Sequence, residues 1–320
     1  MAKRNQIFQY MQAIAILMVV DNHTGYRLGM LNNIFPYNSF YMPLFVFISG
    51  YFYHSMPFIS NIIHKAKRLI VPYAGWVFIG ELVSYALLAA GIVDWYKPMS
   101  HDRVIYAMLV DSTCSITGAL WFVVMLFWVS ISYNIVFKMV HYFGRSILPT
   151  SKSGYNDLVV NTLFLVLVVI GGCLAVYLCM HGYHKRNIYY LAALRTIFYL
   201  QFFHLGYYFH RYLETYIQRF NRLIVCLVCV GINVTLGCFY NINFPATVGM
   251  NNFHSWILPV ITSMTGILFW YEVSFFLSSK IGERKEINFL AENTYTVMAT
   301  HTFFMNIPKF YIYYRILSGE

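Results

Sequence analysis

Apolar residues run along this chain in long blocks, each closed by a short cluster of charge or turn residues. Blocks of about 20 residues recur, the helical length that crosses a hydrocarbon core about 30 Å thick. Nine such runs are read, over residues 6–25, 35–54, 69–92, 119–140, 157–180, 188–209, 223–240, 254–279 and 288–308. The pattern predicts an all-α fold: a polytopic transmembrane helix bundle of about nine to ten spans, with residues 1–320 as one domain. A tenth span over 103–118 would invert every later loop, so a re-entrant or surface helix is expected there. Stretches 93–118 and 241–253 are the longest polar ones, each long enough to cap a cavity or hold part of a binding site, or to serve structure alone. No clear internal repeat is present.

Composition agrees with this reading and excludes an ordinary soluble domain. Hydrophobic residues make up 59% and charged residues 11%, where soluble domains carry about 25% charge, and mean hydropathy is +0.57. The net charge of +10 does not point to nucleic acid, because the cations lie between the apolar runs. That placement fits topology signals and anionic headgroups, so membrane lipids are the expected partners. With the N-terminus inside, the inner segments hold 14 Lys and Arg: Lys3, Arg4, Lys65, Lys67, Arg68, Lys138, Arg145, Lys152, Arg211, Arg219, Arg222, Lys280, Arg284 and Lys285. The outer segments hold 7: Arg27, Lys97, Arg103, Lys185, Arg186, Lys309 and Arg315. The bias predicts a cytoplasmic N-terminus. The first apolar run lacks a small-residue cleavage site and leads straight into further runs, so it reads as a span and not a signal peptide. Cys226 and Cys229 form a CxxC, but within Leu-Ile-Val-Cys-Leu-Val-Cys-Val they read as packing residues.

Ionisable residues inside apolar runs are costly and mark function by default. Here they are Asp21, His23, Glu81, Arg195, Glu272, Glu292 and His301. In the first run Gln12 and His23 are eleven residues apart, which returns them to one helix face about 16.5 Å apart in height. His23 is either a functional imidazole or an interfacial residue wetted from outside. Asp21 points elsewhere and does not orient it directly. Ser49-Gly50 permits close helix approach, and packing outweighs a nucleophilic role for Ser49. Lys65 and Arg68 share a face at the start of the third run. They would clamp phosphates, or simply anchor the inner end. Glu81 and Glu272 are possible salt-bridge partners for a buried cation such as Arg195.

Three segments in this order resemble the acyltransferase-3 family of bacterial integral membrane acyltransferases: Ala13-Ile-Ala-Ile-Leu-Met-Val-Val-x-x-His23, Met42-Pro-Leu-Phe-Val-Phe-Ile-Ser-Gly-Tyr51 and Lys67-Arg-Leu-Ile-x-Pro-Tyr73. Leu120-Trp-Phe122, Phe203-His-Leu-Gly-Tyr-Tyr208 and Asn293-Thr-Tyr-Thr-Val-Met-Ala-Thr-His301 are similar to its later landmarks. The subset most resembled includes fucose and polysaccharide O-acetylases. Two positions depart from the pattern. The family sets an Arg where this chain has Gln12, and its Arg-x-x-Arg is here Lys65-x-x-Arg68.

The resemblance implies an enzyme of the bacterial cytoplasmic (inner) membrane. Its donor is cytoplasmic acetyl-CoA or another acyl-CoA, and its acceptor is a hydroxyl of a cell-envelope glycan or lipid-linked sugar. It places the essential histidine on His23, as general base. His301, about 13 residues into the last run and so near the level of His23 if that run leads outward, is the competing base. Donor phosphates fall to Lys65 and Arg68. Oxyanion stabilisation falls to Arg195, Ser49, tyrosine hydroxyls or Gln12. No metal is needed and no nucleic-acid partner is implied. Two further readings stand beside this one. A glycan transporter or flippase would show repeats and broken helices. A catalytically inactive membrane partner in polysaccharide assembly is favoured by Gln12.

Overall fold

The computed structural model describes residues 5–24, 35, 37–92, 100–109, 120–147, 153–183, 187–240 and 255–305. Regular structure among the described residues is entirely helical. Helix α1 is Gln6–Thr24, α2 is Tyr41–Tyr51, α3 is the continuous Phe58–Ala89, and α4 is His101–Leu109. Helix α5 is Trp121–Ile147 and α6 is Ser153–Met180. Helix α7 starts as Ile188–Tyr208 and continues through a π-turn, Phe209–Leu213, to Glu214–Ile217. Then come α8 (Arg222–Tyr240), α9 (Leu258–Ile281), α10 (Lys285–Glu292) and α11 (294–305). Much of the expected polar stretches 93–118 and 241–253 lies outside the described residues.

Hydrogen bonds identify the two ends of the bundle. At the basal end, where α1 begins, the Tyr10 hydroxyl donates to the Gly282 carbonyl at 2.9 Å. At the apical end, where α1 finishes, the Tyr37 hydroxyl donates to the Asp21 carboxylate, and Asn22 Nδ2 donates to the Tyr41 hydroxyl at 3.3 Å. Helix α2 descends from there until Tyr51 meets Phe8, ring centroids 4.0 Å apart. Each apolar run carries a helix among the described residues: α1, α2, α3, α5, α6, α7, α8, α9 and α11. Helix α4 lies at the start of the 103–118 stretch, on the flank of α3 and α5. There the Tyr73 hydroxyl donates to the Ala107 carbonyl at 2.8 Å and Trp128 Nε1 to the Met108 carbonyl at 3.1 Å.

Four helices among the described residues are long and apolar enough to cross a membrane unaided: Phe58–Ala89, Trp121–Gly144, Asn156–Met180 and Leu258–Ile281. Helix α6 shows why. Val160, Phe164, Val168, Ala175 and Val176 are buried, while Leu163, Val166, Leu167, Ile170 and Leu174 stand at least half exposed on the other side. Leaving each of those in water forfeits about 1.5–3 kcal/mol, and an all-round apolar helix belongs in lipid. The expected count of nine to ten spans is not reached on this criterion, because the other described helices are shorter or more polar. Helix α2 has only 11 residues, about 16 Å. Helices α1 and α7 carry polar groups that their neighbours cover, including the buried Gln9, Arg195, Gln201 and His204.

Helix α7 sits at the centre, packed against α2, α5 and α6. Its crossing with α2 is backbone on backbone. A Cβ added to Gly50 would fall on the Phe203 carbonyl, and one added to Gly206 would fall on the Phe47 carbonyl. Small residues allow this approach within a bilayer, where packing replaces the hydrophobic drive. The neighbouring Ser49 hydroxyl donates back to the Phe45 carbonyl at 3.0 Å, so it serves its own helix. On α8, Cys226 and Cys229 are free thiols.

Candidate active site

The end of α1 sorts three consecutive polar residues. Asp21 accepts from Tyr37 and Asn22 donates to Tyr41, which ties α1 to the start of α2. His23 is left exposed and turned toward α11. Its imidazole lies edge-on to that of His301, ring centroids 5.0 Å apart with 61° between the planes. His301 is only 6% exposed, and its Nδ1 lies 2.9 Å from the Val297 carbonyl. A carbonyl can only accept, so Nδ1 carries the proton and Nε2 of the neutral ring is a lone pair. That Nε2 is buried with no hydrogen-bond partner among the described residues.

Arg195 is 2% exposed, on the upper part of α7, so it faces the bundle and not lipid. Its guanidinium carbon stands 5.1 Å from the centroid of the Trp121 ring, at the first residue of α5. One turn further along α7, the fully buried Tyr199 is within electrostatic range of both Arg195 and Tyr41. Tyr41 also accepts from Asn22, so Arg195 lies on the apical side of the bundle, where α1 ends. Glu272 is not its partner: that carboxylate accepts from Arg222 at 2.8 Å near the basal end.

Gln12 is half-buried on α1, three helical turns below His23. The structure does not bring it to the histidine pair. Lys65 and Arg68 flank the start of a π-turn, Ala66–Ile70, within α3. The wider turn loosens the three-residue stacking expected of an α-helix. Lys65 is half-buried and Arg68 exposed, yet they remain within electrostatic range. The Tyr295 hydroxyl on α11 donates to the Leu69 carbonyl of that π-turn at 3.2 Å. Helix α11 therefore bonds the backbone of the π-turn with Tyr295 and packs against His23 with His301.

Three further polar features escaped the sequence reading. His204, wholly buried on α7, sets Nε2 3.0 Å from the Asn161 carbonyl and Nδ1 2.8 Å from the Tyr133 hydroxyl. Nε2 must donate, so in the neutral ring Nδ1 accepts from Tyr133. Its only signal was a histidine inside the Phe203–Tyr208 landmark. Glu214, just past the α7 π-turn, accepts from Tyr51 at 2.8 Å and Tyr271 at 2.9 Å, pinning α2 and α9 to α7. Beside the basal half of α5 a cleft of about 590 Å³ is lined by Ser55, Phe137, Lys138, His141, Tyr142 and Ser146. It contains none of the residues expected to act.

Comparison with known families decides the class. A family model described as acyltransferase domain, the acyltransferase-3 type, matches residues 5–318, nearly the whole chain. The chain belongs to the acyltransferase-3 family. No curated protein and no solved structure matches it. As a member of that family with helices built for lipid, it is an integral membrane acyltransferase. The apical geometry suits such chemistry. An exposed imidazole backed by a buried one can take a proton, while a buried guanidinium two helices away offers fixed positive charge.

Proposed function

We propose that this acyltransferase moves an acyl group, acetyl above all, from cytoplasmic acyl-CoA to a hydroxyl of a cell-envelope glycan or lipid-linked sugar. In this reading the basal end and the N-terminus face the cytoplasm of a bacterium. The nine alternating segments cross its inner membrane together, the short and polar ones shielded by the long apolar ones. The observation that carries the reading is the double contact of α11. Tyr295 meets the Lys65–Arg68 turn, and His301, two turns along and about 9 Å higher, meets His23. One helix thus runs from the turn that bears Lys65 and Arg68 to the apical imidazole pair.

Lys65 and Arg68 hold the phosphates of CoA at the basal mouth. The thin thioester arm passes up the bundle alongside α11. At the apical end the acceptor hydroxyl oxygen attacks the thioester carbonyl, and its proton passes to His23. The carbon–sulfur bond then breaks, and the thiolate leaves as free thiol after taking the proton from His23. Charge that develops on the carbonyl oxygen is met by Arg195, while Gln12, about 16.5 Å lower on α1, lies too far down to reach it. The test uses purified protein in liposomes with radiolabelled acetyl-CoA and a panel of glycans. Labelled acetyl-glycan supports the reading. Movement of unmodified glycan would replace it with transport, and neither product nor movement would leave an inert partner.

A further inference from the structure

The two histidines at the apical end are not equivalent. His23 is exposed, whereas Nε2 of His301 is sealed from solvent. An acceptor hydroxyl can therefore reach His23 but not that nitrogen. The Val297 carbonyl keeps the His301 proton on Nδ1, so the sealed Nε2 is an acceptor with no donor among the described residues. The His23 imidazole packs against this ring, T-shaped at 5.0 Å between centroids.

The geometry points to His301 as a positioning residue whose Nε2 accepts an N–H of His23 and so decides which nitrogen of His23 stays bare. The inference rests on the proposed role of His23 as base. A neutral imidazole has two tautomers, and one of them presents N–H to an incoming hydroxyl and cannot accept its proton. A turn of the exposed His23 ring closes the bond to His301 and leaves the other nitrogen toward the acceptor. When His23 takes the hydroxyl proton, both its nitrogens bear hydrogen. One stays bonded to His301, and the other is delivered to the leaving thiolate. The order base, then orienting group, then fixed backbone anchor follows the logic of activated catalytic pairs on other folds. The Val297 carbonyl is the anchor here.

Two variants and two readouts test this. His301→Phe keeps the ring and removes the acceptor; His301→Gln restores an acceptor oxygen near the position of Nε2. In His301→Phe, kcat for acyl transfer should fall by up to about 100-fold, the loss typical of a misplaced reacting group, with donor KM unchanged. His301→Gln should recover most of it. Nitrogen-15 spectra of imidazole-labelled protein in liposomes, with His23 assigned by its loss in His23→Gln, give the tautomer directly. One His23 tautomer should dominate in the wild type, a mixture should appear in His301→Phe, and His301→Gln should restore the single form. A mixture already present in the wild type, or an unchanged kcat and tautomer in His301→Phe, would overturn the assignment. Wild-type protein that acylates nothing refutes the proposed reaction instead, and the spectra still decide whether His301 orders His23.

Discussion

His23 and His301 come from opposite ends of the chain and meet edge-on, their ring centroids 5.0 Å apart. The contact joins the apical ends of α1 and α11, and it sets the level of the proposed chemistry. Lys65 and Arg68 belong to the stretch of α3 whose Leu69 carbonyl accepts from Tyr295, nearer the start of α11. Separate mutations therefore address donor binding and proton transfer.

Neutralising the doublet tests the donor end. Lys65→Gln with Arg68→Gln should raise the apparent donor KM more than about tenfold, since each charge-assisted hydrogen bond to phosphate is worth roughly 1.5–3 kcal/mol. Turnover at saturating donor should survive. The wild type should also lose donor affinity more steeply with added salt than the double mutant does. Unchanged KM in a folded double mutant would move the donor site elsewhere, with the cleft at Lys138 and His141 the next place to look.

The crossing of α2 and α7 makes a sharp stability prediction. Gly50→Ala and Gly206→Ala each place a methyl group on a carbonyl of the facing helix. Backbone cannot yield as a side chain can, so each should lower stability by at least about 1–3 kcal/mol. Thermal unfolding in detergent measures this. The control is Gly75→Ala, where nothing lies within 4 Å of the added atom and the midpoint should hold.

The extent to which the sequence disclosed this arrangement follows from what periodicity records. The all-helical character was legible because apolar runs of that length admit little else in a membrane, but only four helices among the described residues reach the length and hydropathy of a span. His23 and Arg195 stood out because charge within apolar sequence is costly. The two π-turns left no mark on the pattern, so the loosened Lys65–Arg68 face was not anticipated. His204 was overlooked because its partners, Tyr133 and the Asn161 carbonyl, come from two other helices. The orphan acceptor on His301 depends on which nitrogen Val297 binds, and spacing alone does not tell that.

The buried His204 pair should be structural. Tyr133→Phe removes the hydroxyl that His204 Nδ1 accepts from and strands a buried acceptor. The expected loss is about 1–3 kcal/mol, read as a lower unfolding midpoint, with donor KM unaltered. A midpoint equal to wild type would mean that water or another group replaces the hydroxyl.

Arg195 should matter for turnover more than for folding. Arg195→Gln retains hydrogen-bonding capacity but removes the charge beside Trp121 and Tyr199. If that charge meets the developing oxyanion, kcat should drop by about 10²–10³-fold, with donor KM near normal. Trp121→Leu, which removes only the ring under the guanidinium, should cost less. Full turnover in a folded Arg195→Gln protein would assign Arg195 to packing.

The proton-transfer step is the most exposed part of the account. His23→Ala, reconstituted with saturating acetyl-CoA and an accepted glycan, should lose acyl transfer by about 10²–10⁴-fold. Expression and donor binding should persist, and Gln12→Ala under the same conditions should lose much less. Near-normal transfer by a folded His23→Ala protein would contradict His23 as the base.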